Sequence, residues 1–142
     1  MPTLPWQRFC CADPQANYII QLSYLPLLRY PSLLRFGRFV VAIQKQLSQT
    51  AGVIGYSLLA RPLQRDFWTL SAWSDKASLN RFVRSNIHVS AMNELREHMG
   101  QTRFIEWTLS GKDLPPRWDA PLKRFHEDNY VAKANAILLN RV

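Results

Sequence analysis

Histidine is the side chain that changes charge nearest neutral pH, so the chain's three histidines are the first place to look for chemistry. His88 stands out. It follows Ser85-Asn86, which break one helical pattern and open another, so it falls in the first turn of a helix expected to lie on a sheet. Two chemical roles fit it: a general base that takes a proton from a phenol or enol, or an axial ligand to haem. A hydrogen-bonded structural histidine at a helix start fits the same position, and no partner motif stands beside it. His98 lies near Glu94 and Glu97, and His126 beside Glu127 and Asp128; both read as surface.

A base of this kind needs donors beside it that hold the anion it creates. Ser71, Asn86, His88 and Arg103 are the candidates for that catalytic set. Trp68, Trp73, Trp107, Tyr24 and Tyr56 are the candidates for stacking on a flat, apolar substrate. The same five, at strand spacing, serve equally as core or dimer-interface residues. Cys10 and Cys11 are sequence neighbours, a spacing too strained for a disulfide and too sparse for a metal site, so two free thiols are expected. No glycine loop cradles phosphate, no Ser-His-Asp order is readable, and the basic residues are not interleaved with aromatics as in RNA-binding strands.

The elements that must position these residues are readable in turn. The chain has 142 residues, 47% hydrophobic and 20% charged, enough for one domain with a real core. No long apolar run or leader-like h-region appears, and a cytoplasmic protein is expected. Residues 1–16, with Pro2, Pro5 and Pro14, read as an irregular lead-in. Tyr18 to Leu28 reads as a strand. A helix from Ser32, its expected N-cap, to Gln49 carries Phe36, Phe39, Val40, Ile43 and Leu47 on one face. Val53 to Leu63 and Asp66 to Trp73 form a hairpin. Phe67, Thr69, Ser71 and Trp73 share one face of its second strand, and Trp68, Leu70 and Ala72 the other.

Ser74 or Asp75 caps the next helix, which carries Leu79, Phe82 and Val83. A further helix runs from Ile87 to Met99 and stops at Gly100. Thr102 to Leu109 is the last strand of the core. Leu114 to Pro121 is an extended tail pinned by Trp118, followed by a helix over Leu122 to Asn140 with Phe125, Ala134, Ile137 and Leu138 inward. The order is β-α-β-β-α-β plus a tail: an α+β, ferredoxin-like antiparallel sheet over residues 17–111, with 112–142 as tail and extra C-terminal helix. Helices cover one face of such a sheet. Bulk on both faces of the Asp66–Trp73 strand leads to the expectation that a second copy covers the other, in a homodimeric α+β barrel.

The stretch from Asp66 to Trp118 carries a resemblance. Trp68-Thr69-Leu70-Ser71-Ala72-Trp73-Ser74-Asp75, then Leu79 and Phe82, Ser85 with His88, Trp107, Leu114-Pro115-Pro116 and Trp118 resemble the antibiotic biosynthesis monooxygenase-like superfamily of dimeric α+β barrels. They look like its spheroidene monooxygenase-like group. The resemblance implies an oxidoreductase acting on a small flat molecule such as a phenol, quinol or polyene, with or without a cofactor. In the superfamily's haem-degrading branch a tryptophan and a haem-ligating histidine follow the third strand. Counted from Trp73, those places fall on Phe82 and Met92. The required residues are absent, and His88 lies one turn before Met92, about 6 Å along a helix. No cofactor is therefore expected, with haem on His88 as the second option. A non-catalytic binder or sensor of a hydrophobic ligand is the alternative function.

The net charge is +8 and unevenly spread. Residues 1–65 carry seven basic groups against Asp13, while residues 66–142 carry eleven against nine acids. Anionic partners are favoured in general. Nucleic-acid binding rests on this charge alone and is not expected. A peripheral membrane contact through the Ser32–Gln49 helix, around Arg35, Arg38 and Lys45, competes with that helix simply packing on the sheet.

Overall fold

The computed structural model describes residues 3–128. Five strands, β1 (Thr3–Arg8), β2 (Asn17–Tyr24), β3 (Val53–Arg61), β4 (Asp66–Trp73) and β5 (Arg103–Ser110), form one sheet in the order β1-β3-β4-β2-β5. Every neighbouring pair is antiparallel. Helices α1 (Ser32–Ser48), α2 (Lys76–Val83) and α3 (Asn86–Leu95) are inserted between strands, and residues 119–128 are helical (α4). Without β1 this is the expected split β-α-β arrangement.

The lead-in is irregular over residues 9–16 but not over β1. β1 pairs with the outer edge of β3, which would otherwise show unpaired backbone groups to water. The register shifts between Leu4 and Gln7, a bulge around Pro5. That shift sends Leu4 to the helix-covered face and Trp6 to the opposite one. Trp6 lies over Gly55, where a Cβ would come within 2.2 Å of its ring, so glycine is required there for β1 to dock. Prolines that suggest disorder in a sequence are compatible with an edge strand whose outer N–H groups need no partner.

Ser32 does not cap α1. Pro31 occupies the N-cap without a side-chain bond, and the buried Ser32 hydroxyl instead meets His98 Nδ1 at 2.9 Å. His98 is therefore not a plain surface group; it ties the start of α1 to the turn after α3. Asp75 caps α2, accepting from the Ser78 N–H, and Ser85 caps α3 from the His88 N–H. α3 ends at Leu95, with a single tighter turn over Arg96–His98 before Met99. Of the expected last helix, residues 119–128 are helical and Ala134, Ile137 and Leu138 lie outside the described residues. Cys10 and Cys11 are free and exposed.

The far face of the sheet is covered by the chain itself. Ile20 and Leu70 are 0% exposed within the single chain. Leu114, Trp118, Leu122 and Phe125 of the tail and α4 pack on that face, with Tyr18, Leu22, Trp68 and Ala72. The Trp118 indole N–H donates to the Ser57 hydroxyl at 3.0 Å, which in turn donates to the Leu4 carbonyl at 2.7 Å. Bulk on both sides of β4 thus has an intramolecular explanation. No helix among the described residues is long and apolar enough to cross a membrane.

Candidate functional site

Between the sheet and its helices lies a largely apolar cavity that opens to solvent at its mouth. Its floor comes from strand alternation. Gln21 and Ser23 of β2 stand opposite Ser71 and Thr69 of β4 in register, so four neutral polar side chains share one patch of the helix-facing side. Tyr56 of β3, opposite Ser71, and Trp73 extend it. The roof is apolar: Phe36, Val40 and Ile43 from α1, Phe82 from α2, and Met92 from α3. Phe104 of β5 also lines the cavity and is 56% exposed.

His88 enters this cavity from the first turn of α3. The Ser85 cap fixes where that turn begins, and the Ser85 hydroxyl also accepts from the Gln46 amide of α1 at 2.7 Å. His88 Nδ1 lies 3.1 Å from the Val83 carbonyl oxygen. A carbonyl only accepts, so Nδ1 carries the proton and Nε2 is left with the lone pair. The imidazole packs against the Phe82 ring, with centroids 5.1 Å apart. Burial holds its pKa below the ordinary 6.5, and the Val83 contact offsets this only in part. His88 is consequently a neutral base at neutral pH. Tyr56 is buried and its pKa is pushed up by burial, so it remains a phenol. The Ser71 hydroxyl accepts from the Trp73 indole N–H at 2.9 Å, which leaves its own proton to donate.

The candidates read from the sequence divide. His88 and Ser71 share the cavity. Asn86 does not: it lines a separate shallow depression with Ile87 and Ser90, because positions two apart on a helix face different ways. Arg103 is next to Phe104 on β5, so it faces the other side of the sheet, where it pairs with Asp128. Of the aromatic set, Tyr56 and Trp73 line the cavity. Tyr24, Trp68 and Trp107 belong to the far-face core. Tyr24 donates to Asp66 at 2.7 Å, and burial, with that bond, pushes its pKa up to about 12. Gln21, Ser23 and Thr69 were missed as site residues. Their signal was available: polar residues alternate with Ile20 and Leu22 in one strand, and with Trp68 and Leu70 in another.

Haem fits the cavity poorly. The group carries two propionates, and no arginine or lysine is among the lining residues to receive them.

No family model matches the chain, and no curated protein does. Solved structures do match. A conserved protein from Methanosarcina mazei Go1 superposes with a TM-score of 0.60 at 16% identity, over 66% of this chain and 94% of that one. A Nitrosomonas europaea protein assigned as an antibiotic biosynthesis monooxygenase gives 0.58 at 12% identity, over 72% and 95%. SnoaB, a cofactor-independent oxygenase from Streptomyces nogalater, gives 0.53 at 12% identity, over 70% and 98%. The chain has the antibiotic biosynthesis monooxygenase fold. At these identities the likeness is one of fold, and function has to be argued from the site.

Proposed function

We propose that this chain is a monooxygenase-like protein that takes a flat, neutral, largely apolar molecule bearing a phenol or enol into the cavity between sheet and helices. The observation that carries the reading is His88: a neutral imidazole, oriented by the Val83 carbonyl, lining an apolar space whose floor is uncharged hydrogen-bonding groups. A substrate with a fixed charge would enter without a counter-ion, at a large desolvation cost. His88 Nε2 accepts the substrate's proton, and the Ser71 hydroxyl, with Gln21 or Thr69, holds the anion that results.

The anion is the species that reacts with oxygen. At a CH₂ flanked by such an enol, addition of O₂ forms a C–O bond and a hydroperoxide. Loss of water from it leaves a new carbonyl. Two C–H bonds of the substrate supply the four electrons that O₂ takes up, so no external reductant is needed. The test is oxygen uptake by the purified chain with anthrone-type phenols and hydroquinones, corrected for autoxidation. Uptake that falls about 100-fold or more in His88→Gln is expected. Equal uptake by both proteins overturns the role of His88.

A second reading has its own observation. Asn86 and Arg103 are directed away from the cavity, so neither the amide nor the guanidinium assists His88 there. A passive binder of the same ligands needs no such partner. Saturable binding with no product and no oxygen uptake would select it.

A further inference from the structure

Leu34, Arg38, Val41 and Lys45 follow one another on α1 at steps of four, three and four, a single stripe along the helix. All four are exposed, on the side opposite the residues that line the cavity. Leu34 is 80% and Val41 66% open to solvent. The stripe continues past the start of the helix. The Tyr30 hydroxyl donates to the Leu63 carbonyl in the β3–β4 turn at 2.7 Å, and both side chains are exposed, as is Leu28. The Arg65 guanidinium lies 4.7 Å from the centre of the Tyr30 ring.

The charge around this patch is mainly positive, although Arg61 stacks over Trp68 of the far-face core. Residues 14–65 contain no Asp or Glu, and their six charged side chains are Arg29, Arg35, Arg38, Lys45, Arg61 and Arg65. The acids at its edge are Asp66, next to Arg65 and opposite Arg61 in the β3–β4 pair, and Glu97, one residue before His98, whose carbonyl accepts from the Leu28 N–H. Leucines and a tyrosine held in water at one end of a fold mark a binding surface. The arginines decide what it binds. A second copy would meet this patch with its own cations. A nucleic acid would use the arginines and leave the leucines wet. A bilayer rich in acidic headgroups uses both: the apolar side chains enter the headgroup boundary and the long cationic ones reach its phosphates.

We propose that this patch docks the protein on an anionic membrane surface. The proposal lies outside the cavity and stands or falls separately from the reaction assigned to it. The test is sedimentation of the full chain with vesicles of phosphatidylcholine alone and with added phosphatidylglycerol, alongside binding to a random duplex DNA. Binding to the anionic vesicles, absent from neutral ones and weakened by salt, is expected. Arg35→Gln with Arg38→Gln weakens it about 20-fold. Leu34→Ser with Leu63→Ser, which leaves the charge unchanged, weakens it at least about tenfold. Circular dichroism of these surface variants matches that of the parent. No binding to anionic vesicles at low salt overturns the proposal. So does vesicle binding indifferent to the leucine pair. DNA binding that depends on the arginines but not the leucines, with no vesicle binding, would make the patch a polyanion surface and also overturn it.

Discussion

His88 has two ring nitrogens with different tasks, and the difference is set by one carbonyl. With Nδ1 held by Val83, only Nε2 can take a proton from a ligand. Because burial disfavours the imidazolium, the group stays an active base below the ordinary value of 6.5. The acid limb of a turnover–pH profile should therefore lie below 6.5, and His88→Gln should abolish that limb with the turnover. The same shift acts on stability. Below 6.5 the unfolded chain binds a proton at this position before the folded chain does, so stability falls as pH drops from 6.5 to the lower folded value and then levels. Denaturant titrations across pH 7 to 5 should show less of this loss in His88→Gln. Tyr24→Phe is the matched control on the far face. It removes the bond to Asp66, costs about 1 kcal/mol by denaturant titration, and leaves turnover unchanged.

At the scale of elements, Ser85 is the residue that places His88. It caps α3 through the His88 N–H and joins α3 to α1 through Gln46. Ser85→Ala should cost about 1 kcal/mol of stability. It should also lower kcat more than it raises KM, because the imidazole's position is loosened while the floor that binds ligand is intact; Ser85→Thr should restore most of the loss. The Asp75 cap was legible in the sequence, as were the order of β2 to β5 with their helices and the two faces of β4; Ser85 read only as a break between helices. Periodicity and capping are local, and β4 and α2 obey both. What was not legible depended on contacts distant in sequence. Nothing in residues 3–8 says that Trp6 fills the space over Gly55, so β1 passes for a loop. Nothing local says that Ser32 meets His98 across the fold instead of capping its own helix. Arg103 looked like a site residue until its parity next to Phe104 put it on the other face.

For the whole molecule, the decisive feature is that the tail and α4 cover the far face of the sheet. The expectation of a second copy there came from bulk without knowledge of what covers it. The chain itself supplies Trp118 and Phe125 there, and it carries Trp68 and Trp107 into that core and away from the cavity. Phe125→Ala, at a position 6% exposed, should cost about 3 kcal/mol and raise the mass seen by light scattering as the face opens. Its affinity for a cavity ligand should match the parent's, since sheet and helices enclose the cavity without it.

The central claim is that the space above Gln21, Ser23, Thr69 and Ser71 is the ligand site. Calorimetric titration with 1-naphthol, a flat neutral phenol, tests it most directly in three proteins: the parent chain, Ser71→Leu, which fills the floor, and Phe125→Ala, which alters the opposite face. Saturable binding near one ligand per chain, kept in Phe125→Ala and lost in Ser71→Leu, is the predicted result. Binding that survives in Ser71→Leu and disappears in Phe125→Ala would place the site on the other side of the sheet and contradict the account.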